Sequence, residues 1–267
     1  MGSSTDPYTL VMVLLLGLGG GFLSGLLGIG GGIVMAPALL YILPLTGAAP
    51  LGMKVVTGLT ITHGLFASLS GAVRHGSYDF VSRPLVAFMG VPIAIFALGG
   101  ALLSRSVSDS VLGAVFATLA LTAAIIMFIP QPQRDIEVSP RKVTFNKGGA
   151  VAIAASIGFL GGLVGQGGSF ILIPLMLAVL RIPTRVALGS NLAIVFCASV
   201  AGFIGKWSTG QVPILLAVAL VIGAIPGAQL GAFLSRRTRP FTLRLVLACV
   251  IAVAAARIWY DVLTGGF

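Results

Sequence analysis

The residues best suited to bind a ligand are two clusters of glycine that lie at matching places in two copies of one motif. Residues 21–37, GFLSGLLGIGGGIVMAP, recur at an offset of 137 as residues 158–174, GFLGGLVGQGGSFILIP, with nine of seventeen positions identical. Each interior glycine costs a helix about 0.8–1 kcal/mol relative to alanine, so we expect a helix to break at each cluster. The helix that resumes afterwards presents unpaired N–H groups and a positive dipole end, which are suited to binding an anion.

Not every glycine in these motifs needs a binding role. The pairs Gly21–Gly25 and Gly158–Gly162 have the spacing with which small residues let membrane helices pack closely, and we assign them to packing. The denser clusters at 28–32 and 165–169 are assigned to a binding site, because paired interruptions in the two halves of a chain are typical of transporter sites. Neither cluster is a nucleotide-binding loop, since no Lys-Ser or Lys-Thr follows and no strand precedes.

Polar side chains in the apolar runs extend this candidate site. At the offset of 137, Lys54 and Asn191 occupy the same position of the repeat, so we expect them to face each other around a pseudo-two-fold axis. Lys54 would supply charge, although its position fits equally a lysine whose ammonium reaches the membrane surface. His63 is either a pH-sensitive lining group or a packing histidine. The predicted substrate-binding residues are Gly28, Gly30, Gly31, Gly32, Lys54, Thr57, His63, Gly165, Gln166, Gly167, Gly168, Ser169, Ser190 and Asn191.

Acidic residues are absent from the middle of every apolar run. We therefore expect an interior suited to an anion or a neutral solute, because a cation path or a carboxylate proton relay would need acids there. Two isolated cysteines, Cys197 and Cys249, define neither a metal site nor a disulfide, and no catalytic residue, metal or cofactor is predicted. The six acids, all in loops or near the termini, are Asp6, Asp79, Asp109, Asp135, Glu137 and Asp261.

The elements that position these residues must be membrane helices. Of 267 residues, 57% are hydrophobic and only 8% are charged, with a mean hydropathy of +1.11. Apolar runs close to the ~20 residues that cross a bilayer recur along the chain. This predicts an all-α polytopic membrane protein with lipid around it. The net charge of +10 comes from residues between the apolar runs, which indicates membrane topology and not a nucleic-acid partner.

The distribution of basic residues decides the number of segments. Ten segments, 8–28, 30–43, 51–73, 84–103, 109–129, 148–165, 168–180, 186–205, 212–234 and 241–260, place twelve Lys and Arg at one end and only Lys54, Arg105, Lys206 and Arg257 at the other. If 30–43 and 168–180 do not cross, the eight remaining segments divide the same residues evenly. Because Lys and Arg accumulate on the cytoplasmic side, we predict ten segments and both termini outside the cytoplasm. Arg74 and His75 then mark the cytoplasmic end of the third segment.

The ten segments divide into two halves of opposite orientation. Five segments per half is an odd number, so the second half must run through the membrane in the reverse sense. The one long polar stretch, 130–147, is predicted to be a cytoplasmic linker between a first transmembrane repeat, 1–129, and a second, 148–267.

With these residues in place, the chain resembles the TauE/SafE family of sulfite and organosulfonate exporters. The resemblance rests on the doubled glycine-cluster and proline motif, on residues 188–192, LGSNL, and on residues 70–80, SGAVRHGSYDF, and it covers nearly the whole chain. It implies a carrier of small sulfur anions in the bacterial cytoplasmic membrane. Met53-Lys54 stands where the family tends to have a Thr-Ser pair, which implies a selectivity of its own.

The predicted function is a secondary transporter that moves a small sulfur-containing anion, such as sulfite or sulfoacetate, outward by alternating access around a midplane site. An anion channel, an importer of another small anion and a receptor that binds without translocation remain alternatives. An intramembrane hydrolase is disfavoured, because Ser169 lacks a flanking G-x-S-x-G and no orienting acid lies in a segment. Proton coupling, through His63 or the substrate, and a homodimer are left open.

Overall fold

The described structure is entirely helical. The computed structural model describes residues 6–30, 32–77, 80–128, 143–166 and 168–264, and within them no strand occurs. The helices follow the ten predicted segments, with bounds that differ by a few residues. They are α1 (Pro7–Leu27), α2 (Gly32–Leu45, with a π-helical part at Ala38–Ile42), α3 (Met53–Gly76), α4 (Arg83–Leu103), α5 (Asp109–Phe128), α6 (Lys147–Leu163), α7 (Ser169–Ala178), α8 (Thr184–Ser208), α9 (Ile214–Arg237) and α10 (Pro240–Thr264).

Helix length separates two groups. Among the described residues, seven helices are long and apolar enough to cross a membrane, namely α1, α3, α4, α5, α8, α9 and α10. The other three are shorter, and α7, with 10 residues, rises only about 15 Å. The prediction of an all-α polytopic membrane protein is confirmed.

Glycine and alanine faces hold α1 against α9 and α4 against α6. A Cβ on Gly21 would collide with the carbonyl of Ala224, and one on Gly158 with that of Ile93. The residue numbers of the contacting positions rise together along the two helices of each pair, so these helices run parallel. This close approach is the packing role that the small-residue spacing predicts. The further contacts are Gly17–Leu220, Gly25–Ala228, Gly162–Ala97 and Gly100–Phe159.

Helices α3 and α8 cross at the centre of the molecule and run antiparallel. Gly71 lies against Leu192, Gly64 against Ser199, and Gly202 against Ile61. Among these contacts, the residue number on α3 rises as the residue number on α8 falls, which shows that the two helices are antiparallel. The two central helices are mostly buried. Several of their polar residues, among them Thr57, His63, Ser190 and Asn191, therefore face protein.

Contacts at the two ends of the bundle bear on the number of crossings. At one end Lys54 Nζ donates to Arg105 O (3.0 Å) and Lys206 Nζ to Ser104 Oγ (2.7 Å), so the ends of α4 and α8 lie together. At the other end Arg185 lies over the Phe80 ring, 5.3 Å from its centroid. If α2 and α7 did not cross, α4 and α8 would finish on opposite sides. The arrangement therefore favours ten crossings.

The connection between the halves is described only at its end. Residues 129–142 lie outside the described residues, and with them most of the predicted linker 130–147. The second half begins with α6 at Lys147, where the Asn146 side chain accepts a hydrogen bond from Gly149 N (3.0 Å) and caps the helix.

Candidate substrate site

Both glycine clusters break a helix, as the sequence predicts. Helix α1 ends at Leu27, Gly28 adopts φ 68°, and α2 begins at Gly32. Helix α6 ends at Leu163, Gly165 adopts φ 71° and Gly168 φ 73°, and α7 begins at Ser169. These positive φ values are costly for residues with a side chain, which explains the glycines. Gly31 and Gly167 lie outside the described residues, as does the side chain of Ser169.

Each break is buried against the central helix of the other half. Gly28 touches the backbone of Leu188 and Gly165 that of Thr57, so closely that a Cβ at either glycine would collide. Asn191 Nδ2 donates to Gly28 O (2.6 Å), and Thr60 Oγ1 donates to Gly165 O (2.9 Å). The freed carbonyl groups thus find partners inside the protein, as the membrane interior requires.

These contacts correct the predicted partner of Asn191. Because α3 begins at Met53 and α8 at Thr184, equivalent residues of the central helices differ by 131 and not by 137. Asn191 therefore corresponds to Thr60, and the prediction that Lys54 and Asn191 are equivalent and face each other is wrong. Residues 57–61, TGLTI, are therefore the counterpart of residues 188–192, LGSNL. Met53-Lys54 does not correspond to Ser190-Asn191, so its assignment to the position of a family Thr-Ser pair is wrong as well. Lys54 lies at the partly exposed start of α3.

Gln166 is the polar group most suggestive of a ligand. Its side chain is 3% exposed, and neither Nε2 nor Oε1 has a hydrogen-bond partner among the described residues. The amide lies directly against Gly32, in space that any larger residue would fill. Its repeat counterpart is Ile29, which is fully buried and apolar. An unsatisfied buried amide costs about 1–3 kcal/mol, so its retention points to a partner that binds.

The remaining predicted side chains divide between this region and the ends of the bundle. His63 is fully buried, with Nε2 3.3 Å from Gly17 O, and also contacts the backbone of Gly30. Thr57 is buried beside Gly165 and donates to Lys54 O (2.8 Å). Ser190 Oγ instead accepts from Ser82 N (2.9 Å) and fixes the start of α4. The structure thus places Asn191 at the first break, Thr57 and Gln166 at the second, and His63 against Gly30, and leaves Lys54 and Ser190 outside.

Sequence analysis missed two buried basic residues. Lys206, predicted to lie at the sparsely charged end, is 0% exposed, and His75, predicted to mark a helix end, is 1% exposed. Lys206 Nζ is 3.1 Å from Leu163 O at the end of α6, and His75 Nε2 is 2.9 Å from Gly25 O near the end of α1. A signal was present at the offset of 131, where S-x-x-G-x-x-x-H at 68–75 recurs as S-x-x-G-x-x-x-K at 199–206.

Comparison with known proteins agrees with a multi-pass membrane protein. The family model described as Sulfite exporter TauE/SafE matches residues 13–258. The chain belongs to this family of membrane transporters.

Curated relatives match over nearly their whole length. The chain is 26% identical to the probable membrane transporter protein YunE of Bacillus subtilis, over 94% of this chain and 97% of that protein. It is 24% identical to YjnA of the same organism, over 93% and 99%, and 25% identical to a probable membrane transporter protein of Methanocaldococcus jannaschii, over 91% and 93%. No solved structure matches.

Proposed function

We propose that this chain is a secondary transporter that exports a small sulfur-containing anion, sulfite or an organosulfonate such as sulfoacetate, across the bacterial cytoplasmic membrane. The observation that carries the proposal is the pair of buried helix breaks, one from each half, together with the amide of Gln166, which lies against Gly32 and has no hydrogen-bond partner among the described residues. Paired interruptions near the middle of a membrane protein are typical of carrier sites.

The groups around the breaks favour an anion over a cation. Gln166 Nε2 supplies a free donor, and the N–H groups of α7 begin immediately after Gly168. A helix N-terminus favours negative charge, most strongly where solvent is excluded. No carboxylate of the described residues lies at the breaks: Asp109 accepts from Met53 N (2.9 Å) and Asp261 pairs with Arg257 (3.4 Å), both at helix ends.

The proposed binding residues follow from this geometry. We place the anion between Gly28–Gly32 and Gly165–Ser169, with Gln166 as a direct donor and His63 and Thr57 at the border. Asn191 and Thr60 position the two breaks through Gly28 O and Gly165 O, and are not free to bind in this conformation. Lys54 and Ser190 lie at the ends of the bundle and are left out of this site.

Transport would proceed by rocking one half against the other. Equivalent helices α3 and α8 run antiparallel, and the contacts Gly28–Leu188 and Gly165–Thr57 exchange under the repeat, which supports the inverted arrangement. A membrane potential that is negative inside supplies about 2.3 kcal/mol per charge per 100 mV for anion export, so no coupling ion is required.

The test is flux in vesicles reconstituted with the purified protein. We expect sulfite or sulfoacetate to stabilise the protein against heat, to enter with saturable kinetics, and to show counterflow when the vesicles are preloaded. Sulfate, thiosulfate and taurine complete the panel. Conductance without saturation would indicate a channel. Thermal stabilisation without any flux would indicate a receptor, and neither effect with any of the five would refute the proposed function.

A further inference from the structure

The side chain of Lys206 lies inside the protein, and none of its hydrogen-bond partners among the described residues is acidic. It is 0% exposed and lies in the last turn of α8. Its ammonium contacts four acceptors: Thr57 Oγ1 at 2.9 Å, Ser104 Oγ at 2.7 Å, Leu163 O at 3.1 Å and Gln211 Oε1 at 3.1 Å. All four are neutral, so they satisfy the N–H donors but do not cancel the charge.

The charged side chains near Lys206 do not neutralise it either. Lys54 and Asp109 act on it from a distance, with opposite signs. The carboxylate of Asp109 is engaged by Met53 N, and the ammonium of Lys54 by Arg105 O. A buried ionised group that lacks a counter-charge is costly, and in membrane proteins such a group is a functional residue by default.

Lys206 is connected directly to the second glycine break. Leu163, whose carbonyl it contacts, is the last residue of α6 before the break. Thr57, whose hydroxyl it contacts, packs its own carbonyl against Gly165. Leu163 and Thr57 therefore each connect the Lys206 ammonium to the break that carries Gln166.

The equivalent position in the first half differs in charge. His75 corresponds to Lys206, and its ring lies 6.1 Å from that of Phe80, which corresponds to Gln211. One half thus surrounds a buried lysine with polar acceptors, while the other places a buried histidine against an aromatic ring. The two equivalent positions are therefore unequal, and a negatively charged solute would meet a lysine only at the Lys206 position.

We propose that Lys206 binds the transported anion, whose oxygens replace some of the neutral acceptors of the ammonium as the solute passes between the Lys206 end of the bundle and the glycine breaks. This rests on the proposed function. Ser104 Oγ would keep a hydrogen bond after such an exchange, because Gln211 Nε2 also donates to it (3.1 Å), and Gln211 Nε2 keeps its bond to Thr209 Oγ1 (2.8 Å).

The experiment compares Lys206→Gln, Lys206→Arg and the wild-type protein in vesicles, with sulfite and sulfoacetate as substrates. Glutamine keeps hydrogen-bonding groups at the site and removes the charge. We expect KM to rise about tenfold to hundredfold, because a hydrogen bond to a charged group is lost. Sulfite-induced thermal stabilisation should disappear. Arginine should keep both within about threefold. Lys147→Gln, which removes an exposed lysine above the Phe88 ring, should leave both unchanged.

The outcomes separate this inference from the proposed function. Flux by the wild-type protein together with an unchanged KM in Lys206→Gln would overturn the inference alone. Loss of flux in that variant with full sulfite-induced stabilisation would also overturn it, because Lys206 would then serve the conformational change and not binding. Absence of flux and stabilisation in the wild-type protein would overturn both. If Lys206→Gln does not fold, the test rests on Lys206→Arg. A KM raised about tenfold or more in this variant, which keeps the positive charge, would refute an electrostatic role of Lys206.

Discussion

At Gln166 two polar atoms are buried without a hydrogen-bond partner among the residues that the structure describes, beside a glycine that leaves room for them. Such an arrangement destabilises the empty protein and is useful only if something binds. Asn191 and Thr60 have a structural role, since Asn191 Nδ2 donates to Gly28 O and Thr60 Oγ1 to Gly165 O. Function and stability should therefore respond in opposite directions at Gln166.

We predict that Gln166→Leu lowers the apparent affinity for sulfite about tenfold or more while the melting temperature stays the same or rises. The substitution removes the unsatisfied amide, which costs about 1–3 kcal/mol in the empty state, together with the donor for the anion. Thermal unfolding in detergent and flux in vesicles measure the two effects. Gln229→Leu, the same change at an exposed position of α9, is the control. A wild-type KM in Gln166→Leu would remove this residue from the site.

At the scale of elements, two parallel helix pairs form the rigid frame around the crossing of α3 and α8. Gly21 of α1 touches the Ala224 backbone, whereas nothing lies within 4 Å of a Cβ on Gly19, two positions earlier on the same helix. Periodicity explains the difference, because residues two apart point to opposite sides of a helix. The frame depends on which glycine faces the neighbouring helix and not on glycine content.

We predict that Gly21→Ala destabilises the protein by about 1–3 kcal/mol, the usual cost of overpacking, since backbone atoms cannot move aside. Gly19→Ala should be neutral or slightly stabilising, because alanine has the higher helix propensity. Melting temperatures of the two purified variants in one detergent make the comparison. Equal melting temperatures would show that α1 and α9 do not pack as closely as described here.

At the scale of the whole molecule, topology follows from which loops share an end. Contacts join the end of α4 to the end of α8, through Ser104 and Lys206, and join the segment after α3 to the end of α9, through Arg185, which lies over Phe80 and donates to Thr238 O (3.4 Å). Ten crossings give these pairs, whereas eight crossings would exchange them. The excess of Lys and Arg at the second end predicts that this end is cytoplasmic.

We predict that cysteines placed at Ser106 and Thr209 react with an impermeant maleimide in intact cells, and that cysteines at Ser77 and Thr238 react only after permeabilisation. The background should carry alanine at Cys197 and Cys249, which are partly or fully exposed. If the cysteines introduced at Ser77 and Thr209 react from the same side of the membrane, the chain has eight crossings and not ten. Reaction of all four in the reverse order would keep the fold and invert the assignment of its ends.

The amino-acid sequence by itself determined the class of protein, the ten segments, the two helix breaks and the small-residue packing faces. Each depends on local composition or on a period along one helix, which neighbouring residues fix. Only the tertiary structure decided that Asn191 pairs with Gly28, that Thr60 is its counterpart, and that Lys206 and His75 are buried. The shift from 137 to 131 arises because the stretch from the start of α2 to the start of α3 is longer than its counterpart from α7 to α8. Burial at a helix end depends on how that helix is rotated against helices that are distant in sequence. The contacts between such helices cannot be read from one amino-acid sequence.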